Sequence, residues 1–198
     1  MSQLLTSERL VISQKAKLVE LTNEYLVSDE NGNQVGYVRQ EGQTAARKVV
    51  RALTRFDSML SHTLALYDLS GQQVLQVHRP ATMARSTVEV QWGPGAVAGY
   101  LRQENLMAKA RFRMEGADGT PLGELRSENW RAWDFKITDP GGNLVAQITK
   151  KWSGLGREVF TTADNYVVEI APFVQGPMRY LCLAAGVSVD LVLKQNDR

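Results

Sequence analysis

Four cations crowd into one short stretch of this sequence. Arg47, Arg51 and Arg55 recur every fourth residue, Lys48 lies beside the first, and no acid falls between Gly42 and Phe56. Residues four apart project from neighbouring turns of one helix face. Such a face could rest on anionic lipid head groups, each charge contributing roughly 1 kcal/mol near the surface. The plainer reading, favoured for a patch of only four charges, is the solvated side of an ordinary surface helix. Lys150 and Lys151 form a second cationic pair, which would extend a lipid-facing patch if the fold brings the two groups together.

The other residues capable of chemistry fit no catalytic template. His62 and His78 have no Cys or His neighbour at metal-ligand spacing. Trp152-Ser153-Gly154-Leu155-Gly156 lacks the leading glycine of a nucleophile elbow. Gly93-Pro94-Gly95-Ala96-Val97-Ala98-Gly99 has the wrong spacing for a dinucleotide loop and reads as a turn between strands. Asp29-Glu30-Asn31-Gly32-Asn33 opens like a calcium loop, but Gln34 and Gln40 stand where such a loop needs Gly and Glu. A hairpin turn is the better account. Cys182 sits among Leu181, Leu183 and Ala184 and reads as an inert core thiol. No nucleophile, acid–base pair or metal cluster is visible, so neither an enzyme nor a cofactor is expected.

The elements that must position these groups are mostly strands. Four stretches, Tyr25–Val38, Leu64–Val77, Arg111–Leu125 and Phe135–Ile148, place alternating apolar flanks around a turn rich in Asp, Asn and Gly. Their turn glycines, Gly32, Gly71, Gly119 and Gly142, are 39, 48 and 23 residues apart, so the hairpin is reused without a fixed period. Thr44 to Leu60 has helical spacing and carries the four cations. Pro177 to Lys194 is apolar on nearly every face, which predicts a helix buried all round. The seventeen residues 177–193 at ~1.5 Å each reach about 26 Å, short for a membrane span, and Gly186 and Asp190 weaken that alternative. Trp92, Trp130, Trp133 and Trp152 lie in or beside predicted strands, where packing in the core is favoured for most of them over a membrane-interface belt.

Composition narrows the class. The chain has 23 Lys and Arg against 21 Asp and Glu, spread evenly over both halves. That balance argues against a nucleic-acid partner. One cysteine cannot form an internal disulfide, and Met1–Lys15 has no apolar run behind a basic start. A cytoplasmic protein, peripheral to the inner face of a membrane if it meets one, is therefore expected. No linker divides residues 1–198, so one domain is expected.

Lys150-Lys151-Trp152-Ser153-Gly154, leading into Arg157-Glu158-Val159-Phe160-Thr161-Thr162-Ala163-Asp164-Asn165-Tyr166, resembles the phospholipid scramblase family. The family's late Asp in an apolar C-terminal helix is matched by Asp190, and its strand ending in Arg-Pro by Arg79-Pro80. The resemblance runs from about Tyr25 to Leu193, and the plant LURP-one proteins and the tubby C-terminal domain share the implied fold. It implies a mainly β architecture: a closed antiparallel barrel of about twelve strands around a central hydrophobic C-terminal helix, with one amphipathic surface helix. It also implies a lipid-handling or lipid-binding function at a membrane, with anionic phospholipid as partner. The alternative is a soluble, non-enzymatic binding or scaffold domain on the same barrel, its protein partner unspecified. The family's proposed calcium segment is twelve residues long with acids at positions one, three and twelve. Here these fall on Thr162, Asp164 and Phe173, so only Asp164 is kept and calcium activation is not expected.

Overall fold

The structure is a computed structural model that describes residues 2–14, 24–41, 61–81, 85–93, 95–105, 111–129, 134–150 and 165–193. A short helix α1 (Gln3–Thr6) precedes β1 (Arg9–Gln14), β2 (Glu24–Ser28), β3 (Gln34–Glu41), β4 (His62–Asp68), β5 (Gln73–Arg79) and β6 (Thr87–Trp92). Then come β7 (Ala96–Gln103), β8 (Arg111–Gly116), β9 (Pro121–Asn129), β10 (Asp134–Thr138), β11 (Leu144–Thr149), β12 (Asn165–Ile170) and helix α2 (Gly176–Leu193). Each strand pairs antiparallel with its sequence neighbours, and β1 pairs β12, so the sheet closes into a twelve-stranded barrel. Helix α2 packs against β4 to β8 and against β12, walls on different sides of the ring. This is the closed barrel of about twelve strands around a C-terminal helix that the resemblance implied.

The four expected hairpins are β2–β3, β4–β5, β8–β9 and β10–β11. All four turn on the same device. Gly32, Gly71, Gly119 and Gly142 have φ of 82°, 81°, 82° and 83°, the left-handed region that costs glycine little. Gly32 N–H donates to Asp29 O at 3.1 Å, and Asp29 N–H to Asn33 O at 2.9 Å. The same two bonds recur at Asp68/Gly71/Gln72, Gly116/Gly119/Thr120 and Asp139/Gly142/Asn143. This is the three-residue hairpin in which a turn is closed by a left-handed residue. The calcium-like opening at Asp29 is such a turn: one carboxylate oxygen accepts from Asn31 N–H and Asn33 N–H, the other from the Asn33 side chain.

The barrel interior is filled rather than hollow. Leu64, Leu66, Leu75, Val77, Phe135 and Ile137 point inward from the wall and are buried. On α2, consecutive residues from Leu181 to Ala185, then Val187 and Ser188, are buried as well. A helix buried on successive residues is enclosed on every face. No helix among the described residues is long and apolar enough to cross a membrane. The fit is tightest at Gly186, where a Cβ would lie 2.3 Å from Val168 Cγ2 on β12 and 3.5 Å from Ile12 Cδ1 on β1. Arg179 anchors the start of α2, its guanidinium donating to Val174 O at 3.2 Å and to Ser7 O in the N-terminal segment.

Candidate functional site

Alternating strand direction sorts every connection to one of two rims. The hairpin turns 29–33, 69–72, 93–95, 117–120 and 139–143 share one rim with segment 2–8 and the β12–α2 connection. The joins after β1, β3, β5, β7, β9 and β11 leave from the other. Charge divides with them. The turn rim carries Glu8, Asp29, Glu30, Asp68, Asp118 and Asp139, and its connecting segments contain no Lys or Arg. In sequence, the segments attached at the opposite rim (15–23, 42–61, 80–86, 104–110, 130–133 and 150–164) hold twelve Lys and Arg against five Asp and Glu.

Of the cations singled out in the sequence, Lys150 is described. It stands at the end of β11 on the basic rim, with Nζ 5.3 Å from the ring centroid of Tyr166. Arg47, Lys48, Arg51, Arg55 and Lys151 lie outside the described residues, as does the expected amphipathic helix around them. Glu41 at the end of β3 and His62 at the start of β4 nevertheless attach that segment to the rim of Lys150. The ends of β3 and β11 are four strand spacings apart through β12, β1 and β2, about 19 Å around the wall at ~4.8 Å per strand.

At the turn rim the carboxylates are held in place by their own turns. Hydrogen bonds from Ser70 lower the pKa of Asp68, those from Thr120 lower Asp118, and those from Asn143 lower Asp139. At Asp29, burial raises the pKa but the Asn33 and Asn31 donors outweigh it. Arg9, the first residue of β1, bridges this rim to the outer wall through Glu30 at 3.5 Å and Glu169 at 2.6 Å. Among the described residues the exposed large apolar side chains are Leu69, Trp92, Leu144 and Phe173, and all four stand at this rim. Trp92 is not a core tryptophan: it is 50% exposed. Trp92 is the last residue of β6, where the wall ends, so its ring lies over the start of α2 instead of inside the barrel. Trp130, Trp133 and Trp152 lie outside the described residues.

The sequence reading missed a cavity of about 370 Å³ beside Trp92. Trp92, Tyr180, Val97, Leu122, Pro177 and Asp118 are among its walls. The rings of Trp92 and Tyr180 are parallel within 2°, with centroids 6.1 Å apart. Its parts come from β6, β7, β9, the 117–120 turn and α2, so no local motif announces it.

Cys182 behaves as expected of a core thiol. Burial pushes its pKa up to about 12 against the opposing pull of Arg179, so the nucleophilic thiolate is suppressed. The two histidines sit in strand pairings: His62 Nδ1 is 3.0 Å from Gln40 Nε2, and His78 Nδ1 is 2.9 Å from Thr63 Oγ1.

With both rims described, comparison with known proteins identifies the lineage. The family model named Scramblase matches residues 1–194. This chain belongs to the Scramblase family. Among relatives of the family, it is 24% identical over 179 residues to the Saccharomyces cerevisiae protein "Altered inheritance rate of mitochondria protein 25", covering 75% of this chain and 52% of that one. It is 24% identical over 180 residues to human "Phospholipid scramblase family member 5", covering 81% and 64%. Mouse "Phospholipid scramblase 1" is 22% identical over 204 residues, covering 93% and 60%. The chain thus spans between half and two thirds of the length of these relatives. An Arabidopsis thaliana protein solved by X-ray crystallography superposes with a TM-score of 0.54 at 11% identity, over 98% of this chain and 95% of that one, which shows a shared fold.

The segment marked for calcium by the scramblase resemblance, Thr162 to Phe173, can be tested against the barrel. Six of its twelve residues, Asn165–Ile170, are strand β12, paired to β1 and β11. Five steps at ~3.3 Å carry the chain about 17 Å from the basic rim to the acidic one. Phe173, at position twelve, is exposed at the rim opposite to the one from which β12 departs. Glu169, the one acid within the strand, is engaged with Arg9. Among the described residues of this segment, Asn165–Ile170 form an extended wall strand rather than a loop. Asp164 and Thr162 lie outside the described residues.

Proposed function

We propose that this chain is a non-catalytic, lipid-handling member of the Scramblase family. In this reading it engages an anionic phospholipid surface peripherally, from the cytoplasmic side and without calcium activation. The observation that supports it most is the separation of charge between rims: an acidic turn rim, and a rim whose attached segments are strongly basic in sequence. An anionic surface attracts one end of such a molecule and repels the other, which orients it before any contact forms. Arg47, Lys48, Arg51, Arg55, Lys150 and Lys151 are the candidate contacts. Names of relatives such as "Phospholipid scramblase 1" give the lipid class its weight. The inert Cys182 thiol supports a role without covalent chemistry.

Vesicle co-sedimentation tests the proposal. Binding is expected to vesicles containing phosphatidylserine and not to pure phosphatidylcholine at low salt. It should fade as the screening length shrinks from ~10 Å at 0.1 M to ~3 Å at 1 M salt. Replacing Arg47, Lys48, Arg51 and Arg55 together with Gln should abolish it and leave stability within about 1 kcal/mol. Undiminished binding by that variant would remove the segment from the account. Failure of the parent to bind would favour the alternative of a soluble binding or scaffold domain, a reading supported by the exposed apolar residues on the acidic rim.

A further inference from the structure

We propose that the cavity at the acidic rim is a binding site for a quaternary ammonium group. Neither membrane contact nor lipid handling is assumed. The walls combine two parallel aromatic rings, aliphatic Val97, Leu122 and Pro177, and one carboxylate, Asp118. No Lys or Arg is among the lining residues. The connections of this rim carry five further acids and no Lys or Arg; Arg9 beside them is paired with Glu30 and Glu169, and Arg179 is bonded to the Val174 and Ser7 carbonyls. A cation is therefore the charge this end of the barrel draws in. A half-exposed indole backed by a tyrosine ring offers that cation a π-face, and tryptophan is the strongest such partner among side chains.

The lining also selects which cation. Both oxygens of Asp118 already accept bonds from Thr120, one from its N–H at 3.0 Å and one from its hydroxyl at 2.8 Å. The carboxylate thus supplies charge more readily than open acceptor positions. A primary ammonium or a guanidinium carries several N–H donors that would lose water partners on entering a mostly apolar pocket. A trimethylammonium has no N–H to satisfy, and its methyl groups suit aliphatic and aromatic walls. The site's volume of about 370 Å³ leaves room for the group and for the chain that bears it. Free choline, a choline lipid head group and a trimethylated lysine share this chemistry.

Isothermal titration and saturation-transfer NMR on the full chain test the proposal with choline as probe. Saturable choline binding is expected, with ethanolamine weaker and 3,3-dimethylbutan-1-ol, the uncharged isostere, weaker still. Trp92→Ala should weaken choline binding roughly tenfold, within the range of a partly desolvated cation–π contact. Asp118→Asn preserves the turn's acceptor and should weaken binding several-fold. Circular dichroism melts would confirm that both variants fold. Glycerophosphocholine and trimethyllysine distinguish the sources: tighter binding of the former assigns the site to lipid head groups, and of the latter to a modified protein. Equal binding of the neutral isostere, insensitivity to both substitutions, or no choline binding to the folded parent would overturn the proposal.

Discussion

Replacing Gly186 with alanine should destabilise this protein, although the same change stabilises most helices. In an open helix, Gly→Ala gains about 1 kcal/mol of propensity. Here the new Cβ would lie 2.3 Å from Val168 Cγ2 and 3.4 Å from its Cγ1, with Ile12 Cδ1 at 3.5 Å. Val168 is itself buried between β1 and β11, so a change of its rotamer must displace other packed side chains. Overpacking of this kind costs about 1–3 kcal/mol, so after the propensity gain a net loss of about 1 kcal/mol is expected. For a chain of 198 residues that lowers the melting temperature by about 2–4 °C. Val168→Ala alone removes two buried methylenes' worth of carbon and should cost about 2 kcal/mol. In the double variant the added methyl occupies the vacated space, so the combined loss should fall short of the sum by about 1 kcal/mol. Urea unfolding followed by circular dichroism, with equal slopes for all four proteins, gives these values. A higher melting temperature for Gly186→Ala, or strict additivity, would refute the packing of α2 against β12.

Three further outcomes follow from the same coordinates. Cys182, buried and with its pKa at about 12, should resist thiol reagents at pH 8, and its labelling rate in urea should track global unfolding; rapid labelling of the native protein would contradict the enclosed helix. The turn carboxylates have folded pKa values below the ordinary 3.8, so their stabilisation is complete above that value and is lost as pH falls through the lower folded values. Melting temperature should therefore drop below about pH 4, and an Asp68→Asn, Asp139→Asn double variant should show a shallower acid limb than the parent. Calcium titration by calorimetry should reveal no site tighter than ~1 mM, the weak end for protein calcium modules; a micromolar site lost on Asp164→Ala would reverse the reading of β12.

The parts of the fold that were legible are those encoded locally. Turns that close on a glycine, three of them Asp-x-x-Gly, sit between alternating flanks because the turn bonds link residues three or four apart, and the four hairpins were readable for that reason. Helix α2 was legible because a stripe-free apolar helix has to be enclosed. The exposure of Trp92 was not legible because β-propensity says nothing about where along a strand the wall ends, and the last residue of β6 falls at the rim. The cavity beside it was invisible: Trp92, Leu122 and Tyr180 are distant in sequence and meet only once the ring closes. The charge separation was hidden for a related reason. Overall composition is balanced, and both halves of the chain are balanced too. Only strand direction reveals that successive connections alternate between an acidic end and a basic one.

Because β1 is zipped to β12, the seam joins the barrel's own first strand to its last. During synthesis, everything up to Thr149 can form hairpins, but β1 and β11 must wait with open edges until Asn165–Ile170 emerges. The plug comes later still, since α2 follows β12 along the chain. Until then the lining residues face a vacancy that only Leu181, Leu183 and their neighbours fill. Hairpins fold in microseconds, whereas closing a loop of more than 150 residues is slow and leaves sticky edges exposed. Production of this protein should therefore be limited by the fate of chains whose barrel is still open. Circular permutants that place the new termini in the 69–72 turn, with the old ends joined, would move that seam and relocate the vulnerable stage of synthesis.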